Sequence, residues 1–130
     1  MKLYTYVYSK DHQPPMPVVD VRLIAPHSGM ATGTITAVVD SGADGTLVPV
    51  DLLSEIGAVS IATGRLAWLW RESRMVHIYV VQLEIGPIRL PKVRVAGVPV
   101  GTDLVLGRDV LNQMVLTLDG PAESVEIATE

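Results

Sequence analysis

With 130 residues, the chain has enough material for one buried core and too little for two independent ones. Apolar residues make up 48% and charged residues 18%, in short runs broken by Gly and Pro, which excludes a disordered chain and a bundle of membrane helices. The net charge is −4 with the basic residues scattered, so no footprint for a nucleic-acid backbone exists, and the lack of Cys excludes disulfides, thiolate metal sites and a cysteine nucleophile.

Leu3 to Tyr8 alternates as a strand, and the Pro-rich stretch from Ser9 to Pro17 ends it. These first 17 residues carry no signal-peptide pattern, so a cytoplasmic setting is the expectation, and their role is otherwise undefined. Val18 to Ala25 predicts a second strand, with Asp20 and Arg22 sharing one face. After a turn from Pro26 to Gly33, the β-branched run Thr34 to Asp40 predicts a third strand, stopping at Ser-Gly-Ala-Asp-Gly. Pro49 at a first helical position and Gly57 beyond the last one bracket a short helix, Val50 to Ile56. Val59 to Val81 reads as a long hairpin around a solvated polar turn, Arg71 to Arg74. Gln82 to Ile85, Ile88 to Leu90 and Val93 to Ala96 read as separate strands, divided at Gly86-Pro87 and at Pro91. Asp103 to Gly107 predicts a short buried strand, and Arg108 to Met114 a turn or two of helix. Val115 to Leu118 and Val125 to Ala128 close the chain as strands around Asp119 to Ser124. About nine strands and two short helices without an internal repeat predict one all-β domain over residues 1–130, a closed barrel or a sandwich.

The stretch from Ala37 to Thr46 carries the chemistry. Val38 and Val39 anchor a strand in the core and Asp40 is the first polar group to emerge, so its carboxylate is expected to be partly desolvated and reluctant to ionise. Ser41 offers a hydroxyl to fix the loop, Gly42 admits a close backbone approach or a positive φ, and Ala43 keeps the surroundings small. Other readings of this segment fit less well. A calcium loop would need an oxygen ligand where Gly42 stands and Glu where Asp51 stands, an aspartyl phosphatase would need a second Asp at Gly42, and Ser41 lacks the G-x-S-x-G frame of a nucleophile elbow. His12, His27 and His77 have no ligand-like spacing, so neither a metal nor another cofactor is expected.

Asp40-Ser41-Gly42-Ala43 after an apolar pair resembles the first signature of retropepsin-like aspartic proteases. Val105-Leu106-Gly107-Arg108-Asp109-Val110-Leu111 resembles the second. The resemblance spans residues 18–128 and implies an all-β, closed-barrel-like retropepsin fold with one or two short helices. It implies an aspartic endopeptidase that works as a homodimer, because one Asp motif per chain supplies only half of a carboxylate pair. Such a pair shares one proton; the ionised member activates a water and the protonated member donates to the peptide carbonyl. By the same resemblance Ser41 bonds across the dimer, Gly42 accepts from the substrate backbone, and Asp44 meets the substrate main chain and pairs with Arg108. The terminal strands, especially Val125 to Ala128, interleave at the dimer interface, and the hairpin from Arg65 to Tyr79 is the flap. That flap carries Trp68 and Trp70 with only Gly64 at its entry, bulkier than the Gly-rich tip usual in the family. The implied partner is a peptide or protein in extended conformation, bound by strand pairing. The competing reading is a dimeric peptide-binding module of the same fold without catalysis.

Overall fold

A computed structural model describes residues 1–67 and 73–129. Ten strands and two helices follow one another: β1 (Lys2–Val7), β2 (Val18–Ile24), β3 (Ile35–Val39), β4 (Thr46–Pro49), α1 (Val50–Glu55), β5 (Ser60–Leu66), β6 (Arg74–Ile85), β7 (Ile88–Val98), β8 (Leu104–Leu106), α2 (Arg108–Leu111), β9 (Val115–Asp119) and β10 (Ser124–Thr129).

The closed barrel is present. Its strands run in the order β2-β3-β8-β4-β7-β6, and pairing of β2 with β6 through Arg22↔Glu84, Leu23↔Leu83 and Ile24↔Gln82 completes the ring. Closure leaves no ring strand with an open edge, while β5 hangs on β6 outside the ring as the other half of a hairpin. The alternation in β2 explains the layering: Val19, Val21 and Leu23 face inward while Asp20 and Arg22 face water. Val39, Val81, Leu83, Val95 and Leu106 join the same core, each such aliphatic side chain contributing roughly 1.5–3 kcal/mol by leaving water. On the outer surface Glu84 receives Arg22 at 3.1 Å across the closing seam and Arg89 at 3.0 Å from β7.

Several sequence expectations are corrected. Among the described residues there are ten strands, and Thr46–Pro49 forms β4 between the Asp40 loop and α1, where no strand was expected. Pro49 is therefore the last residue of a strand and the residue before the helix, with an extended ψ of 134°, and not the first helical residue. Gln82 to Ile85 is no separate strand but the end of β6, and Pro91 does not divide β7. The β6–β7 ladder shifts register between Val81 and Leu83, where the partner strand carries Pro91. A missing N–H costs nothing at such an irregularity.

The chain ends form a second sheet, β1-β10-β9, joined to the barrel core through Val125 and Ile127. Here β10 is the central strand, paired with β1 from Lys2↔Thr129 to Val7↔Ser124 and with β9 from Ser124↔Asp119 to Ala128↔Val115. Within the single chain both edges of β10 are used, and β1 and β9 form the two borders of this sheet. The Pro-rich segment after β1 is tied down as well. Ser9 and Met16 exchange backbone hydrogen bonds, and His12 lies 3.0 Å from both the Ser9 hydroxyl and the Asp103 carboxylate.

Candidate active site

Two strands bring the two sequence motifs together. β3 and β8 are parallel neighbours, Ala37↔Leu104, Val38↔Val105 and Val39↔Leu106, so both chains leave the barrel at the same end. Asp40 and Gly107 are the residues that follow. The ladder is prolonged by the Asp40 amide donating to the Leu106 carbonyl at 3.1 Å, and the Arg108 amide donates to the Ala43 carbonyl at 2.9 Å.

Asp40 is exposed in the single chain, which corrects the expectation that the strand end would desolvate it. Val38 and Val39 are sealed in the core, but the backbone turns outward directly after them, and the carboxylate points away from the barrel. The turn is tight: the Ala43 amide donates to the Asp40 carbonyl at 3.1 Å and the Gly42 amide donates to Asp40 Oδ1 at 2.9 Å. A side chain at Gly42 would bring its Cβ to 3.1 Å from that oxygen, so Gly42 serves close approach, without a positive φ.

The loop is held from behind by the second motif. Arg108 donates one guanidinium nitrogen to the Ser41 carbonyl at 2.8 Å and the other to the Asp44 carboxylate. A planar fork spans both acceptors at once, which a lysine could not do. Ser41 itself lies exposed with its carbonyl engaged, and Ala43 is half-buried beneath the loop.

Three residues with no assigned role in the sequence reading complete the junction. Thr46, buried at the start of β4, accepts from the Gly107 amide at 3.2 Å and donates to Asp109 Oδ1 at 2.8 Å. The same Asp109 oxygen accepts from the Val110 amide at 2.9 Å, which ties the first turn of α2 to β4. Gly107 packs directly on the backbone of Gly45, leaving no room for a Cβ. A glycine before the Arg of the second motif, and an Asp after it, were the available sequence signals; Thr46 had none.

Above this floor the β5–β6 hairpin encloses a cleft of about 940 Å³. Asp40, Ala43, Asp44 and Leu47 line it from the loop side, and Pro99 and Thr102 from the loop after β7. The hairpin contributes Arg65, Leu66, Ala67 and Arg74. Arg74, expected in a solvated polar turn, is exposed and is the first residue of β6, opposite Leu66. Trp68, Trp70, Arg71 and Glu72 fall outside the described residues.

Comparison with known proteins agrees with this arrangement. The sequence profile of the aspartyl protease family matches residues 28–110, a span that contains the first motif and all but the last residue of the second. A retropepsin-like aspartic protease from Rickettsia conorii has a similar crystal structure, with a TM-score of 0.69 at 11% identity, covering 97% of this chain and 89% of that one. The protease of EIAV, solved with the inhibitor HBY-793, superimposes with a TM-score of 0.50 at 17% identity over 83% of this chain and 93% of that one. Curated protein sequences include no match to the chain. At such low identity the two structures speak for the retropepsin-like fold, and the profile match over most of the chain speaks for descent: this chain belongs to the aspartyl protease family.

Proposed function

We propose that the protein is a homodimeric aspartic endopeptidase in which Asp40 of each subunit supplies one carboxylate of the catalytic pair. The observation that carries this reading is the presentation of Asp40 at the mouth of a cleft, on a loop clamped by Arg108. Among the described residues, Asp44 is the other carboxylate of that cleft, and it is engaged by Arg108. The second carboxylate therefore comes from another chain. Apposition of two subunits also supplies the desolvation that the single chain lacks. Exposed Leu3, Val7, Val115 and Leu118 on the terminal sheet offer apolar surface for a subunit contact.

In the dimer two like charges within a few Å share one proton, and the titration belongs to the pair. The ionised Asp40 takes a proton from a water as it attacks the peptide carbonyl. The protonated Asp40 donates to the carbonyl oxygen, and the resulting diol collapses when the amide nitrogen takes up a proton. Gly42 and Asp44 meet the substrate main chain, Ser41 and Ala43 shape the base of the site, and the β5–β6 hairpin lies over the peptide as the flap. Residues 1–130 act as one such unit per subunit.

The test is peptide-library cleavage read by mass spectrometry, with wild type and Asp40→Asn, from about pH 4 to about pH 7, where carboxylate pairs work. Cleavage that vanishes in Asp40→Asn and rises faster than linearly with protein concentration is the expected result. A folded wild-type dimer as silent as Asp40→Asn would leave a peptide-binding module instead.

A further inference from the structure

The Pro-rich stretch after β1 forms a strap with three anchors. Ser9 and Met16 exchange backbone hydrogen bonds at 2.8 and 3.0 Å, which closes the strap at its base. The Val39 amide donates to the Pro17 carbonyl at 3.0 Å, so the end of the strap is fixed to the last residue of β3, next to Asp40. Between these points Pro14, Pro15 and Pro17 restrict the backbone. The third anchor is His12, which reaches over a separation of 91 residues to the Asp103 carboxylate at 3.0 Å.

Asp103 belongs to the loop between β7 and β8, which walls the cleft through Pro99 and Thr102. That loop is closed on itself: Thr102 donates to the Pro99 carbonyl from its amide at 3.3 Å and from its hydroxyl at 2.7 Å. Val98 and Leu104, on either side of it, are buried. Among the described residues, His12 supplies the only side-chain hydrogen bond that reaches this loop from another segment. The bonding pattern assigns the imidazole tautomer. Asp103 accepts, so Nε2 carries the proton, and Nδ1 accepts from the Ser9 hydroxyl at 3.0 Å, whose oxygen accepts from the Asp11 amide at 3.3 Å. Every donor finds an acceptor with the ring neutral. His12 and Asp103 are 27% and 56% accessible, which sets the scale of the contact at one modest hydrogen bond.

We propose that His12 is a positioning residue: through Asp103 it ties the Pro99–Thr102 wall to the strap beside Asp40 and so sets the width of the cleft. This rests on the reading of the cleft as a peptide site, and it deepens that reading by naming what fixes the site's dimensions. Asp40→Asn protein, built to bind without cleaving, is titrated with fluorescent decapeptides of mixed sequence. Adding His12→Ala weakens binding about fivefold, the scale of one hydrogen bond. Asp103→Ala has the same effect, and the two together lose no more than either alone, as a coupled pair requires. His12→Gln, whose amide still donates to Asp103, recovers most of the affinity. In the chain with Asp40 intact, His12→Ala raises KM by about the same factor and leaves kcat within about twofold, since the wall contacts ground state and transition state alike. A lowered kcat at unchanged KM marks a merely structural role and overturns the proposal. So does binding within about twofold of the parent, or losses from His12→Ala and Asp103→Ala that add. Where no peptide is bound or cleaved by either parent protein, the peptide-site reading falls and this proposal with it; binding that His12→Ala leaves intact removes this proposal alone.

Discussion

Replacing Gly107 by Ala tests whether the two motifs are held together by backbone contact. The residue has φ −90° and ψ −176°, values open to any amino acid, so conformational freedom is not what glycine provides here. Space is. An added Cβ would sit 2.9 Å from the Gly45 Cα and closer still to its carbonyl group, and backbone atoms cannot rotate away. To reach ordinary contact the two loops must part by roughly 1 Å. That movement strains the amide bonds from Gly107 to Thr46 and from Arg108 to Ala43, at 3.2 and 2.9 Å. Overpacking costs about 1–3 kcal/mol and each weakened hydrogen bond about 1 kcal/mol, so the expected destabilisation is about 3–5 kcal/mol. In urea, with a slope of order 2 kcal/mol per M, the midpoint falls by roughly 2 M at unchanged slope. Gly33→Ala is the control, since its Cβ meets nothing within 4 Å and its φ is not positive; it is expected within about 0.5 kcal/mol of wild type. A Gly107→Ala protein within about 1 kcal/mol of wild type would refute the packing argument.

Thr46→Val removes the hydroxyl that links Gly107 to Asp109 and leaves a buried N–H without its partner, at an expected cost of about 2–3 kcal/mol in denaturant unfolding; Thr46→Ser recovers most of it. Arg108→Lys keeps the charge but cannot span Ser41 and Asp44 together, so peptide kcat/KM is expected to drop about tenfold with little change in the unfolding midpoint, because the pair is exposed. Burial, with smaller contributions from Asp20 and Tyr4, holds the Tyr6 hydroxyl above the usual tyrosine range. The folded state thus favours the neutral phenol. Its contribution is complete below about pH 10 and is lost as pH rises through the raised folded value, so Tyr6→Phe is expected to flatten the alkaline limb of a thermal-stability profile against pH.

What could be read in advance follows from how local each signal is. β2 and β3 were visible because a half-buried or buried strand writes its own pattern, and the Asp40 and Arg108 loops because their residue types follow strand ends in a fixed order. The pairing of Arg108 with Asp44 came from family resemblance alone, and the geometry contains it. β4 was missed because four residues ending in Pro between a loop and a helix leave no periodicity to detect. Pro91 misled because a proline announces a break, whereas a register shift with its partner strand absorbs it. Exposure of Asp40 and the occupied edges of β10 depend on partners far away in sequence, which no local pattern encodes. The strand position of Arg74 was hidden for the same reason: it looks like any polar turn residue until Leu66 is found opposite it.

The terminal sheet also shapes the order of folding. Lys2 pairs with Thr129, so in a nascent chain β1 stays without its intramolecular partner until β10 has been made. By then β8 has emerged and the six-stranded ring has all of its members. Contacts of such long sequence separation slow folding, since loop-closure entropy is spent before the pairing is gained. During synthesis the half-apolar strand Leu3 to Val7 therefore waits unpaired through the emergence of the whole ring, a long exposure of an unfilled strand edge.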